Sequence, residues 1–399
     1  MKIIKDPVHG YVEVEDFALA LLDSPALQRL RYIKQLGFSY LVYPGANHTR
    51  FEHSLGTMFL AGVASRRFGL SDDEHKLVVS AALLHDIGHG PFSHAGEPLM
   101  EKFLQRTHDD IECILTDHTK NILRESGIDP VEVSYLVKGN HSLSSIIHGD
   151  LDVDRMDYIL RDAYYTGAPY GSVDVQRLIR HLIRTSEGTV MDENGVNAAE
   201  SLLIARTMMR PTVYFHHVSR IGESMFQLAV LEHFKDSEKN LYSSFFGMDD
   251  ATCMQALRGS ENPVARDIAL RIYERRLYKR ALYVGTDLVS SSLIDKRIPL
   301  EKCREFASMI ASLVGLKPHE VLVDIPLIPK EMSLGVKVEN QRTLAGVKDL
   351  SPRIQTLNET RLDQWRLGVY TLPEFRQEVA EAASEVLHIK KQTRQHTLF

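Results

Sequence analysis

From Phe17 to about position 280, apolar residues recur every three or four positions, the period of helices with one buried face. Phe17, Leu21, Leu27, Leu30 and Ile33 open the series, with Ser24-Pro25 as a helix start. Further helices are predicted over about 51–68, 77–84, 97–106, 108–125, 130–138, 150–165, 197–209, 211–235 and 263–279, with Pro211 in the first turn of its helix. Two hairpins interrupt them. One is built on Tyr11-Val12-Glu13-Val14-Glu15 around Asp6-Pro7-Val8-His9-Gly10, the other spans 187–197 with its turn at Asn194-Gly195. Past Leu282, the runs 282–284, 321–325 and 334–338 read as strands, flanked by helices near 299–314 and 373–388. The pattern predicts a mainly α chain: a helical core with small β-hairpins over 1–280 and a smaller α+β domain over 281–399.

One helix stands out. Leu77 to Leu84 carries no charge, and His85 continues the line of Val78 and Ala82 at i, i+4, i+7. After it come His85-Asp86-Ile87-Gly88-His89-Gly90-Pro91-Phe92-Ser93-His94. An apolar helix ending in His-Asp delivers an imidazole and a carboxylate to the interior, where a cation is their natural partner. A capping histidine before a Gly-rich turn would account for one such residue. It does not account for three histidines and an aspartate in ten positions.

Composition narrows the class. The 399 residues hold 25% charged and 44% hydrophobic side chains, and the net charge is −6. Nucleic acid is therefore not expected as the main partner, and a polyanionic substrate needs locally placed arginines. Cys113, Cys253 and Cys303 form no C-x-x-C pair, which argues for a reducing compartment and against a thiolate metal site. No signal peptide or spanning segment is read, so a cytoplasmic, membrane-free protein is expected.

A metal at His85-Asp86 needs further donors. His53, in Arg50-Phe51-Glu52-His53-Ser54-Leu55-Gly56, opens an apolar helix. Asp154, Tyr158 and Asp162 share one helix face at i, i+4, i+8, although Asp157 and Arg161 would also suit an exposed ion pair. Two imidazoles with two carboxylates suit Fe, Mn, Co, Ni or Zn better than an all-oxygen magnesium site.

The set His53, His85-Asp86 and Asp154 resembles the H…HD…D signature of the HD-domain phosphohydrolase superfamily. Gln28-Arg29-Leu30-Arg31-Tyr32-Ile33-Lys34-Gln35-Leu36-Gly37, Arg50 to Gly56, His85 to His94 and Asp152-Val153-Asp154 with Asp157-Tyr158 resemble one branch of it, the deoxynucleoside triphosphate triphosphohydrolases. The motifs cover about residues 1–220. The resemblance implies an all-α HD core that cleaves a dNTP to deoxynucleoside and inorganic tripolyphosphate. It implies a transition metal on His53, His85, Asp86 and Asp154, with Mg accompanying the nucleotide phosphates. His108 would be catalytic together with Glu97, which stands where animal members have aspartate, while His89 and His94 would face the phosphates. Gln35, Leu36, Arg50, Arg155, Tyr158, Asp162, Arg206 and Tyr214 would hold the substrate. Phe215 departs from the glutamine of the animal members, so base contacts do not carry over.

By the same resemblance, Lys2, Asp23, Gln28, Arg31 and Arg177 match positions that bind an activating guanine nucleotide (GTP or dGTP) between subunits, which implies a homo-oligomer, dimer or tetramer. Without the resemblance, those residues read as the salt bridges of the first helices. Two other functions fit the motifs: an HD phosphohydrolase acting on other nucleotides, such as nucleoside monophosphates, and a non-catalytic nucleotide sensor. The basic run from Arg271 to Arg280 reads as a solvated or subunit-facing surface.

Overall fold

In a computed structural model, residues 1–185, 188–235, 241–294, 297–332, 335–337, 345–346 and 352–390 are described. The chain divides into two units: Met1–His216 with Glu238–Gln255 and Met332–Leu357, and His217–Ser237 with Ala256–Glu331 and Asn358–Phe399. The first unit opens with the hairpin β1 (Lys2–Asp6) and β2 (Gly10–Val14). Its helices are α1 (Asp16–Leu22), α2 (Pro25–Arg29), α3 (Arg50–Arg67), α4 (Asp72–Leu84), α5 (Glu97–Leu104), α6 (Asp117–Glu125), α7 (Pro130–Val137), α8 (Val153–Thr166) and α9 (Val175–His181). Strands β3 (Leu182–Thr185) and β4 (Gly188–Asp192) then lead to α10 (Val196–Met209).

Caps fix where the site-bearing helices begin. Thr49 and Glu52 form a capping box that starts α3, and Ser71 with Glu74 does the same for α4. Asp152 starts α8 by accepting the Arg155 amide at 2.7 Å. These three helices pack around Phe51, Leu55, Val78, Ala82, Met156 and Ile159, all buried. Every residue from Leu77 to Leu84 is buried, as its lack of charge implies.

The second unit holds α11 (His217–His233), α14 (Pro263–Tyr273), α15 (Leu300–Leu313), α17 (Arg376–Val386) and an antiparallel sheet of order β5-β9-β6. Its strands are β5 (Lys279–Val284), β6 (Val321–Asp324) and β9 (Leu367–Thr371). Helix α12 (Leu241–Phe246) belongs to the first unit. Helices α13 (Asp250–Arg258) and α16 (Pro352–Asp363) carry the chain from one unit into the other. The chain is mainly α, and the smaller unit is α+β.

Several elements differ from the sequence expectation. Residues 217–237 and 256–280 join the second unit rather than the first, so no single boundary falls near 281. Arg220 on α11 donates to Asp324 on β6 from Nε (3.0 Å) and Nη2 (2.5 Å), a tertiary pairing that no local signal announces. The strand expected at 334–338 is β7 (Gly335–Lys337), and it pairs in parallel with β4 of the first unit and antiparallel with β8 (Ala345–Gly346). Leu334 and Val338 lie outside the described residues, as does position 187 of the second expected hairpin. That hairpin pairs β3 with β4, with Thr185 opposite Gly188. Asn194-Gly195 instead forms a 3-10 turn that Asp192 caps through the Gly195 amide at 3.0 Å.

Residues 108–116 form no α-helix, only a 3-10 turn at Ile111–Cys113. Asp110 accepts the Thr107 amide at 3.2 Å, and the helix begins only after Thr116, whose hydroxyl accepts from the Thr119 amide. Pro211 lies in a π-helical turn, Arg210–Tyr214, closed by the Phe215 amide on the Arg210 carbonyl at 2.7 Å. Lacking an N–H, Pro211 cannot continue the α10 ladder, and the chain widens there before α11 starts at His217. The basic run ends on a cavity of about 230 Å³ within the second unit, bordered by Arg275, Lys279 and Arg280 together with Arg376. No helix among the described residues is long and apolar enough to cross a membrane.

Gly56 marks the closest approach of α3 to α8. A Cβ there would stand 1.8 Å from Asp157 Oδ1 and 2.4 Å from Arg161 Nη2, a buried pair with no room to retreat. Gly56→Ala is expected to destabilise the chain by at least about 1–3 kcal/mol, the usual cost of overpacking. Urea denaturation of the variant against wild type measures it, and an unchanged midpoint would contradict this packing.

Candidate metal centre and active site

His85 occupies the C-cap of α4 and donates from Nδ1 to the Ala82 carbonyl at 2.7 Å, so its Nε2 points away from the helix. The capping role and the outward donor thus belong to different nitrogens of one ring. His53, in the first turn of α3, donates from Nδ1 to Asp157 Oδ2 at 2.7 Å, and its Nε2 lies 3.3 Å from that of His85. Asp86 brings Oδ1 to 3.3 Å from His85 Nε2 and Oδ2 to 3.8 Å from His53 Nε2. Asp154, in the first turn of α8, brings Oδ1 to 2.9 Å from His53 and 3.8 Å from His85.

The donors therefore converge. One atom each from His53, His85 and Asp86 fall within 4.8 Å of one another, with Asp154 beside two of them. Bonds of about 2.0–2.2 Å to one ion place neighbouring ligand atoms roughly 3–4 Å apart, the separations found here. Both imidazoles have the orientation of metal ligands, their second nitrogen held by a carboxylate or a carbonyl. The electrostatics also call for a cation. Burial alone would push His53 down, but Asp154 and Asp157 hold it up at about 10. Burial would raise Asp154, yet His53 and His85 bring it down to about 2. Asp86 is held well below the carboxylate range by Arg50, His85 and His89 against the effect of burial. In this geometry the imidazole carries the positive charge that a bound ion would supply. The residues fit a divalent metal.

A second group of imidazoles lies alongside. His89 and His108 stack with ring centroids 4.0 Å apart, and His94 meets them edge-on at 4.8 and 5.5 Å. Glu97 accepts from Nδ1 of both His94 (3.0 Å) and His108. His108 also places Nε2 2.6 Å from Asp109. Burial works against the His108 charge, but Asp109 and Glu97 hold its pKa up at about 10. His89 is held well below its usual value by burial and by Arg50. Gly88 permits the stack, since a Cβ there would stand 1.9 Å from the His108 carbonyl oxygen.

The remaining expected positions divide into those that meet and those that do not. Arg50 is buried, donating from Nη1 to Asp86 (2.7 Å) and from Nε to Ser93 (2.8 Å), while its Nη2 has no partner in the protein. Gln35 Oε1, beside Leu36, is likewise buried without a partner. Tyr158 stands 6.4 Å from His53 and 5.9 Å from Tyr214, whose hydroxyl donates to Asp162 at 2.8 Å. Arg155 pairs with Asp152, and Arg206 lies 3.4 Å from Asp150. Of the expected activator positions, Arg31 donates to Gln28 at 2.8 Å and covers the Phe51 ring, and exposed Asp23 lies just past α1. Lys2 and Arg177 are exposed on β1 and α9.

Four further residues stand at the site. His48 bonds Asp162 at 2.8 Å and stacks on Tyr165. Its position in a Pro-Gly loop hid it. Asp157 and Arg161 form a pair at i, i+4, but they are buried rather than exposed, and Asp157 is the partner of His53. Asp250 accepts the Phe92 amide at 2.6 Å and the Lys34 amide at 3.0 Å. No local signal pointed to it.

The HD domain profile matches residues 50–162, and the profile of the HD associated region matches 173–398. An uncharacterized protein of Methanocaldococcus jannaschii is 34% identical over 96% of this chain and 81% of its own. The chain is an HD-domain phosphohydrolase. This HD protein is 31% identical to the bovine deoxynucleoside triphosphate triphosphohydrolase SAMHD1 over 58% of its own length and 47% of the relative's. Among solved structures, a hypothetical protein from Aquifex aeolicus superposes with a TM-score of 0.76 at 30% identity, covering 96% of this chain and 99% of that one. A phosphohydrolase from Bacteroides thetaiotaomicron does so with 0.71 at 25% identity, covering 93% and 99%.

Asp154→Ala removes a donor and leaves His53 Nε2 without its nearest carboxylate. The variant is expected to bind divalent metal at least about 10-fold more weakly, measured as metal per chain after equilibrium dialysis. Wild-type loading would exclude Asp154 from the centre.

Proposed function

We propose that this HD phosphohydrolase is a metal-dependent dNTP triphosphohydrolase, releasing deoxynucleoside and inorganic tripolyphosphate. The observation that carries the reading is the face of α8 on which Asp154, Tyr158 and Asp162 follow one another. At 1.5 Å per residue the face spans about 12 Å. It leads from the metal donors and the His89–His94–His108 wall to the His48–Asp162–Tyr214 cluster, a length suited to a nucleotide with its phosphates at one end and its sugar at the other. The relation to SAMHD1 agrees with it.

Each group has a task in this reading. Arg50, fixed by Asp86 and Ser93, keeps Nη2 for a phosphate oxygen, and Arg155 and Arg206 add local positive charge in a chain whose net charge is −6. Neutral His89 and exposed His94 line the phosphates. A bound divalent ion, Fe, Mn, Co, Ni or Zn, supplies Lewis acidity toward a phosphoryl oxygen, with Mg accompanying the nucleotide. His108, oriented by Glu97, holds on Nε2 the proton that goes to the departing 5′ oxygen. Gln35 and Asp162 read the 3′-hydroxyl, with Leu36 beside Gln35. Tyr158 and Tyr214, with ring centroids 5.9 Å apart, would flank the sugar and disfavour a 2′-hydroxyl by steric contact. Lys2, Asp23, Gln28, Arg31 and Arg177 would bind a guanine nucleotide between subunits of a homo-oligomer.

Incubation with each dNTP, singly and in pairs, with Mn, Co or Mg, and ion-exchange resolution of products tests this. Tripolyphosphate with deoxynucleoside is the expected result, and stepwise orthophosphate would overturn it. Turnover of dATP that requires added GTP or dGTP is the expected sign of the activator site.

The pH profile tests the His108 role. Glu97 raises the His108 pKa, so Glu97→Gln lowers it, and the form carrying the proton is lost at lower pH. The alkaline limb of kcat should move down by about 1–3 pH units. An unmoved limb would remove His108 as the proton donor.

A further inference from the structure

The N-terminal hairpin reaches the metal donors. Its turn is folded by Asp6, whose Oδ1 accepts the amides of Val8 (2.9 Å) and His9 (2.7 Å). The other oxygen of Asp6 accepts from Arg161 Nη1 at 2.8 Å, and both residues are buried. Arg161 grips Asp157 with Nε and Nη2, each at 2.9 Å. His9, its side chain 7% exposed and packed against Phe59 on α3, places Nε2 2.6 Å from Asp157 Oδ1. Asp157 Oδ2 then accepts from His53 Nδ1. A chain of four side chains from the hairpin and α8 (Asp6, Arg161, His9 and Asp157) thus ends on the His53 nitrogen opposite the one that faces the donor set.

We infer that His9 and Asp6 are positioning residues for the metal ligand His53, so that the hairpin turn is a structural part of the metal centre. The inference rests on the metal reading of His53 and is independent of which nucleotide is cleaved. Asp157 has two oxygens and four N–H donors around it. His9 and Arg161 share Oδ1, leaving Oδ2 to Arg161 Nε and His53. Without the His9 donor, Oδ1 keeps only Arg161 Nη2, and the carboxylate loses the one restraint on its orientation that comes directly from the hairpin. The His53 ring is then held less firmly through Oδ2, and the convergence of its Nε2 with His85, Asp86 and Asp154 loosens. Loss of such outer partners commonly weakens metal binding by about 10- to 100-fold.

The test reads the metal alone. The metal-stripped full chain is titrated with Co²⁺, following the visible absorption of the bound ion, for wild type, His9→Phe, His9→Gln and Asp6→Asn, each with its thermal midpoint recorded. His9→Phe keeps the packing on Phe59 but has no donor, and its Co²⁺ affinity is expected to fall about 10-fold or more. His9→Gln, which returns an N–H, should restore most of the affinity. If His9→Phe does not fold, Asp6→Asn decides, with a weaker loss in the same direction. Wild-type affinity in the variants, or a loss that His9→Gln does not restore, would overturn the inference. A wild-type chain that takes up no Co²⁺ would overturn the metal reading and this inference with it.

Discussion

Two imidazole nitrogens facing one another at 3.3 Å, with carboxylates at 2.9 and 3.3 Å, cannot rest inside an apolar bundle without a positive charge between or upon them. The rest of the first unit can be understood from that requirement. Asp86, Asp154 and Asp157 bring three carboxylates to one place, and Arg50, Arg161 and a cation at the donor set offset them. Leaving one of these buried charges without its partner would cost about 3–5 kcal/mol. The caps of α3 and α8, the end of α4 and the absence of a side chain at Gly56 are the local conditions for the arrangement.

The wall beside the donors depends on a different kind of restraint. Phe92 and Ser93 both adopt left-handed backbone conformations, with φ of 58° at each, which is unfavourable for residues with a Cβ. Phe92 stacks on Phe38 at 4.4 Å and gives its amide to Asp250, and the Ser93 hydroxyl donates to the Lys34 carbonyl at 2.5 Å. Arg29 spans the same loop, donating to the carbonyls of Ile87 (3.0 Å), His89 (2.6 Å) and Met248 (3.0 Å). Burial lowers the Arg29 pKa to about 10, with Asp250 opposing, so it stays charged at neutral pH. The histidine-rich turn is held from outside by residues some 60 to 160 positions away in sequence.

How much was legible follows from which signals are local. The charge-free helix before His85 could only be buried, and burial made His85-Asp86 conspicuous. The period-four spacing of Asp154, Tyr158 and Asp162 placed them on one face, as any helix must. Asp157 and Arg161 obey the same spacing whether they face solvent or core, so their pairing was readable and their burial was not. His48 and Asp250 were invisible because each acts on a partner brought near by folding.

The sequence by itself determined the helical class, the burial of α4, the two outer strands β5 and β6 of the smaller unit but not the central β9, and the donor types of a hydrolytic metal site. Each depends on period, charge and side-chain chemistry within a short window. Only the tertiary structure decided that β7 belongs with β4, that α11 and α14 join the second unit, and which partners meet each half of the histidine-rich turn. His85 and Asp86 point to the donors from α3 and α8, whereas His89 and His94 turn toward His108 and Glu97. Such choices are set by which distant surfaces pack together and which buried charges find partners, and no window of local sequence contains both sides of that match.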